Sequence, residues 1–328
     1  MNIRRQPTGN GAAAARAQRK KIPPILYSVA LLLLIGVLFQ IGNSNFFSAY
    51  NLFTVLDFTV IMLLVGLGQM SAILIGGIDL SVGGVMSFTS VVFVIMVSQI
   101  GAWSYPLCLG IGLLTGIING NLLTRIRIPS FIATLGTGGI LMSLSMLVAP
   151  VPVAIPTRSW GPLAVITEHS LGISNTMWLG AAIFLLYFAF YRFGVIGRHI
   201  YAVGSNIKMS WMSGIDITRA RNWAFVLSGL GASAAGIMVS SVQYGSNPYL
   251  GETYILNSIA AVVVGGTALT GGTGGPVNTL LGALILSVMR NGMNVVGIDQ
   301  YFQQSILGLM IVVAVVLTFD RQRTGIVK

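Results

Sequence analysis

Runs of about twenty apolar residues recur along nearly the whole chain, and they decide what it can fold into. They cover residues 25–42, 53–75, 81–100, 106–124, 131–149, 175–193, 222–242, 254–270, 276–296 and 302–319. Each approaches the length a helix needs to cross a hydrocarbon core about 30 Å thick. A chain of 328 residues that is 55% hydrophobic and only 8% charged lacks the polar surface of a soluble body. The expectation is an all-α, polytopic membrane protein with about ten transmembrane helices, because helices satisfy their own backbone in lipid.

Charge sets the expected orientation. The tail 1–22 holds Arg4, Arg5, Arg16, Arg19, Lys20 and Lys21 among Gly, Ala and Gln, and reads as a disordered cytoplasmic segment. Arg125, Arg127, Arg192, Arg198, Lys208, Arg219, Arg221, Arg321, Arg323 and Lys328 fall on the same side if the runs alternate. Only Arg158 falls outside, and Arg290 lies within a helix. Basic residues mark cytoplasmic loops, so both termini are expected inside. The net charge of +11 is therefore a topology signal; no basic stripe interleaved with aromatics points to nucleic acid. The first apolar run lacks an A-x-A-like cleavage site and reads as a retained helix. One integral membrane domain over 23–320 is expected, with a cytoplasmic loop at 192–221 and a cytoplasmic tail at 321–328. The outer loop 150–174, rich in proline, is expected to be rigid with a short surface helix.

One break stands out. Ile75-Gly76-Gly77-Ile78-Asp79-Leu80-Ser81-Val82-Gly83-Gly84 sits between two apolar runs and places a carboxylate beside hydrocarbon. An intramembrane acid needs a partner, water or a task. Asp79 lines a pathway, or it caps the helix beginning at Leu80 or Ser81. The two readings are compatible, since transporters place polar contacts at half-helix ends. Gly76, Gly77 and Gly83 permit turning and close packing there.

The cytoplasmic loop carries a second feature. Ser205 or Asn206 is placed to cap a short helix at about 206–213, and Gly214 to end it. That helix presents Lys208, Met209, Trp211 and Met212. An exposed Trp and Met face suits a groove on a soluble partner; lying in the headgroup layer is the alternative.

Other polar groups are scattered. Gln69 and Ser71 precede the break, Asn119 and Asn121 end the fourth run, and Asn291 and Asn294 stand one turn apart beside Arg290. They line a pathway or hydrogen-bond between helices. Arg290 needs an acceptor or a route to the interface, and Asp299 reaches it only if the chain folds back. Tyr244, Asn247, Tyr249, Glu252 and Tyr254 on the outer stretch 243–254 are placed to meet an external partner, or to form an interfacial aromatic belt. The single cysteine, Cys108, lies in an apolar run, and the two histidines, His169 and His199, fall in separate loops, so no metal cluster is expected. Without a His cluster, paired acids or G-x-S-x-G, an intramembrane enzyme is excluded.

Gly76-Gly77-Ile78-Asp79-Leu80-Ser81-Val82-Gly83 resembles a signature of the inner-membrane permeases of bacterial ribose-type ATP-binding-cassette importers, which are of the type II importer-like fold. Three further segments agree: Gly204-x-Asn206 with Ser213-Gly214-Ile215; Leu227-Ser228-Gly229-Leu230 with Ala235-Gly236-Ile237; and Ala260-Ala261-Val262-Val263-Val264-Gly265-Gly266-Thr267 with Gly271-Gly272. The likeness runs from about residue 50 to 323.

The resemblance implies a multi-pass subunit of the bacterial inner membrane that passes a monosaccharide. It implies a second permease, identical or paralogous, and a periplasmic sugar-binding protein. It also implies a cytoplasmic ATP-binding cassette subunit docked on the 206–213 helix. No G-x-x-x-x-G-K-[ST] occurs, so ATP and Mg would be used by that separate subunit, with no cofactor on this chain and no catalysis by it. Two departures bear on the partner. Lys208, Met209 and Ser210 stand where the family usually has an acid and two alanines. Thr270-Gly271-Gly272-Thr273-Gly274-Gly275-Pro276 lacks the basic residue usual after the glycine pair. A branched-chain amino-acid or nucleoside importer is the nearest alternative. A secondary transporter working without ATP is a second, though it would ordinarily need more intramembrane acids than Asp79.

Overall fold

The computed structural model describes residues 24–318. The tails assigned to 1–22 and 321–328 lie outside those residues. Helices dominate, in the order α1 (Pro24–Gly42), α2 (Ala49–Leu74), α3 (Ser81–Ile100), α4 (Ser104–Thr124) and α5 (Ser130–Val148). After the strand β1 (Val153–Ala154) come the one-turn α6 (Ala164–Thr167), the strands β2 (His169–Ser170) and β3 (Ile173–Ser174), then α7 (Asn175–Phe193). The chain continues through α8 (Val195–Ser205), α9 (Ile207–Met212), α10 (Ile217–Val242), β4 (Gly245–Ser246), α11 (Glu252–Val264), α12 (Pro276–Val296) and α13 (Gln300–Thr318).

Local chemistry explains many of these bounds. Ser48 accepts from Asn51 N at the start of α2, and Asp216 accepts from Arg219 N at the start of α10. Pro276 opens α12, where its missing N–H costs nothing, and Gly297 ends that helix in the left-handed region.

Seven stretches among the described residues are long and apolar enough to cross a membrane. One of them, Ser81–Thr124, is a hairpin of α3 and α4 closed by a tight turn at Gly101 (φ 58°). Cys108 on α4 lies 3.7 Å from the carbonyl of Thr89 on α3, so the two arms are packed together. The protein is thus a multi-pass, mostly helical membrane protein.

The run at 254–270 departs from expectation. α11 stops at Val264 after 13 residues, about 20 Å of helix and short of a ~30 Å hydrocarbon core. Gly265 and Gly266 end it, and an irregular glycine loop fills residues 265–275. The loop 192–221 also differs. Instead of one short helix it holds two, because Ile196, Ile200 and Val203 give α8 an apolar face at i, i+4 and i+7. The loop 150–174 contains α6 with two 3₁₀ turns, and β1 pairs antiparallel with β4 after α10.

α10 and α2 form the centre. Most of α10, α2 and α3 is buried, whereas α1, α5 and α7 leave one face bare. Backbones meet at glycines around this centre. A Cβ on Gly112 of α4 would strike the carbonyl of Gly229 on α10, and one on Gly116 would strike that of Phe225. Lipid gives helices no hydrophobic reason to associate, so such close approach supplies the packing.

Candidate pathway break and coupling helix

α2 ends in a glycine-terminated turn. Gly77 N donates to Ala72 O (3.0 Å) and Gly76 N to Ile73 O (2.8 Å), with Gly76 in the left-handed region at φ 74°. A residue with a Cβ is strained in that conformation, which accounts for the glycine. The chain then runs irregularly to Ser81, and its freed amides find hydroxyls on α5. Ile78 N donates to Ser130 Oγ (3.2 Å) and Leu80 N to Thr134 Oγ1 (2.9 Å). This is how a helix break survives among apolar helices: neighbouring side chains take the backbone donors.

Asp79 is 1% exposed. Its Oδ1 accepts from Ser81 N (2.9 Å) and Ser81 Oγ (2.6 Å), so it caps α3 from one residue before the helix's own cap position. Asn119 on α4 donates to Ser81 Oγ (2.8 Å), and Thr137 on α5 donates to Asn119 Oδ1 (2.8 Å). The buried Ser228 of α10 lies near the carboxylate, though its hydroxyl makes no hydrogen bond of ordinary geometry. The acid is thus bonded to Ser81 and linked through it to Asn119 of α4 and Thr137 of α5. Gly83, two residues into α3, meets Gly251 and Ile255 so closely that a Cβ has no room.

The remaining intramembrane candidates divide. Asn291 donates to Asn51 Oδ1 (2.7 Å), and Asn294 accepts from Gln303 (2.7 Å). Both amides therefore bond between helices. Ser71 bonds Leu67 O within α2, and Asn121 bonds Ile117 O within α4. Gln69 is fully buried, and neither polar atom of its side chain has a partner. Arg290 is exposed on α12 and reaches Tyr254 on α11, not Asp299.

Sequence reasoning noted the glycines at 265–275 as a motif but gave them no place. They lie against the end of α2. Gly272 N donates to Leu74 O (2.9 Å), and Gly265 O accepts from Asn278 Nδ2 (2.9 Å). Gly266, Gly271, Gly272, Gly274 and Gly275 all have positive φ. The C-terminal turn of α8 touches the same loop, with Tyr201 OH donating to Gly274 O (2.9 Å). Burial pushes the Tyr201 phenol above its ordinary pKa.

α9 follows α8 with only Asn206 between them. Asn206 accepts from Met209 N (3.0 Å), and Gly214 (φ 76°) closes the helix while Ile215 N bonds back to Ser210 O (3.0 Å). The helix is one residue shorter at each end than the sequence suggests. It leaves Trp211 71%, Met212 65% and Met209 58% exposed, with Lys208 exposed beside them.

Tyr249 and Glu252 are exposed, Glu252 in the first turn of α11. Tyr244 instead stacks on Trp160 with ring centroids 4.4 Å apart. Ser246 bonds Ser90 (2.6 Å) and Gly251 N bonds Ser87 (2.8 Å), so this segment descends along α3 toward Gly83. α11 therefore starts partway down α3 and not at its outer end.

The model of the family described as Branched-chain amino acid transport system / permease component matches residues 51–315. The chain is 35% identical over 292 residues to the ribose import permease of Haemophilus influenzae, covering 88% of this chain and 90% of that one. It is 33% identical over 301 residues to the ribose import permease of Escherichia coli K12, covering 90% and 93%. It is 31% identical over 305 residues to the fructose import permease of Rhizobium meliloti, covering 90% and 84%. No solved structure matches the chain significantly. The chain belongs to the Branched-chain amino acid transport system / permease component family, as an ABC-importer permease of the ribose type.

Proposed function

We propose that the chain is the membrane-spanning permease subunit of an ABC importer that carries a monosaccharide, a ribose-like pentose or a hexose, across the bacterial inner membrane. The observation that carries this reading is the 31–35% identity, over nearly the whole chain, to permeases named for ribose and fructose. Ten helices spanning the membrane or half-spanning it, with both termini cytoplasmic, fit the placement of basic residues. The permease domain then occupies 23–320 between two cytoplasmic tails.

A separate cytoplasmic ATPase docks on α9 through Met209, Trp211 and Met212, and uses ATP and Mg. The exposure of these apolar side chains on a capped helix favours this over packing within the chain. A periplasmic sugar-binding protein meets the side bearing Tyr249 and Glu252. A second permease, identical or paralogous, completes the pathway. Asp79, Ser81 and the glycines at 76, 77 and 83 hold the helix break, and Asn291 and Asn294 tie α12 to its neighbours.

The family description supports a second reading, a branched-chain amino-acid importer, with a nucleoside importer beside it. One experiment separates them. The chain, its ATPase and its binding protein are expressed in cells lacking their own importers, and uptake of labelled ribose, fructose, leucine and uridine is measured. Saturable ribose or fructose uptake is expected. Uptake of leucine or uridine without either sugar would overturn the proposal.

A further inference from the structure

The end of α8 meets two other segments backbone to backbone. Gly272 N donates to Leu74 O across 2.9 Å. A Cβ on Gly204 would collide with Leu74 O and lie 2.7 Å from Gly272 N. One on Gly271 would lie 2.8 Å from Gly76 N, 2.9 Å from Leu74 O and 3.2 Å from Gly204 O. Three segments distant in sequence thus converge at one point: the last residues of α2 with the start of the break, the glycine loop leading into α12, and the last turn of α8. Two side chains of α8 brace the contact. Tyr201 OH donates to Gly274 O (2.9 Å), while the Ser205 hydroxyl donates to Tyr201 O (2.9 Å) and stands 3.4 Å from Gly272 O.

This junction lies directly behind the docking helix. Ser205 ends α8 and Ile207 begins α9. On its other side, α8 is fixed in the core by Ile200 and Val203, both fully buried. We propose that the Leu74–Gly204–Gly272 junction passes displacement of α9 to the helix break and the glycine loop together, with Tyr201 and Ser205 as its positioning residues. Without side chains at the contact, little slack exists to absorb a shift of α8. Close-packed contacts of this kind switch between discrete arrangements and do not deform gradually. The glycine loop is the compliant partner, since its positive-φ residues keep a freedom that other residues lack. Deletion of one hydroxyl therefore weakens transmission without touching the docking surface.

The inference rests on the docking of an ATPase to α9. Its test uses the assembled importer in lipid nanodiscs and proteoliposomes, as wild type and as Tyr201→Phe, Ser205→Ala and the double variant. Three quantities are read: ATPase retained on the tagged permease, labelled ribose taken up per ATP hydrolysed, and amide exchange of residues 266–275 before and after trapping with ATP, Mg and vanadate. In the wild type, trapping changes exchange of the loop. In the Tyr201→Phe, Ser205→Ala double variant the ATPase stays bound, uptake per ATP falls about tenfold, and the exchange response disappears. An unchanged uptake ratio in the double variant would overturn the proposal, as would loss of the ATPase, which would make the junction a mere support for docking. If the wild type takes up no ribose, the sugar assignment fails, while the exchange response still decides the junction. If that response is absent in the wild type, the junction transmits nothing.

Discussion

Asn119 of α4 donates a hydrogen bond to Ser81 of α3 across 2.8 Å, and Ser81 donates its own hydroxyl to Asp79 across 2.6 Å. The amide thus holds the cap of a helix that begins inside the protein. Thr137 completes the chain from α5. Asp79 is therefore stabilised by a relay whose longest link, Asn119 to Ser81, joins residues 38 apart in sequence.

Removal of the middle of this relay weakens both ends. Asn119→Leu removes one bond from each of Ser81 and Thr137, whose hydroxyls keep Asp79 and Ala133 O as acceptors, and Asp79→Leu removes the cap itself. Interhelical hydrogen bonds in bilayers average about 0.6 kcal/mol, and a helix cap contributes about 1 kcal/mol. Each variant should unfold earlier in a denaturant titration in bicelles, by about 1–2 kcal/mol. The double variant should lose less than the sum, since both changes break one network.

Glycines on α4 should differ sharply in tolerance. A Cβ on Gly116 would sit 2.5 Å from Phe225 O, a backbone atom that has no rotamer to offer, whereas one on Gly110 meets nothing within 4 Å. Gly116→Leu is expected to prevent α4 from packing on α10, with a loss of several kcal/mol and little folded protein in membranes. Gly110→Leu should stay within about 0.5 kcal/mol of the wild type. Fluorescence-detected gel filtration of the two variants checks the contrast.

The docking face can be tested separately from the junction behind it. Trp211→Asp with Met212→Asp places two charges where exposed apolar side chains stand. Membrane insertion should be unchanged, because α9 contributes little to the core. ATPase co-purification should be lost and uptake abolished, a drop of about a hundredfold or more. Normal uptake by this variant would move the docking surface elsewhere.

Arg290 is exposed on α12 with Tyr254 as its neighbour. A guanidinium on a membrane helix requires water, a charge partner or a second protein face. Arg290→Gln should lower sugar uptake about tenfold, corresponding to loss of one charged hydrogen bond, at an unchanged rate of ATP hydrolysis. Arg290→Lys should recover part of it. Equal uptake in all three would confine Arg290 to bonding Tyr254.

The helical segments were legible because their signals are local. Apolar length marks a membrane helix, and Asn206, Asp216 and Gly214 mark helix ends through bonds to residues a turn away. The cap at Asp79 belongs to the same class, since its main partner is Ser81. α8 was missed although Ile196, Ile200 and Val203 carry its period, because the basic residues around them drew the segment into a cytoplasmic loop. The early end of α11 was missed because valines continue the apolar run up to Gly265, and hydropathy does not register where the backbone turns.

By itself, the sequence determined a polytopic helical membrane protein, where most of its helices start and stop, and a family signature at residues 76–83. Tertiary structure alone decided that Asn119 and Thr137 complete the shell around Asp79, and that Leu74, Gly204 and Gly272 meet. The reason is physical. Apolar length and caps act over one or two turns, so they are written in neighbouring residues. A glycine contact is made by what the residue lacks, and a missing side chain carries no record of which distant backbone will fill the space.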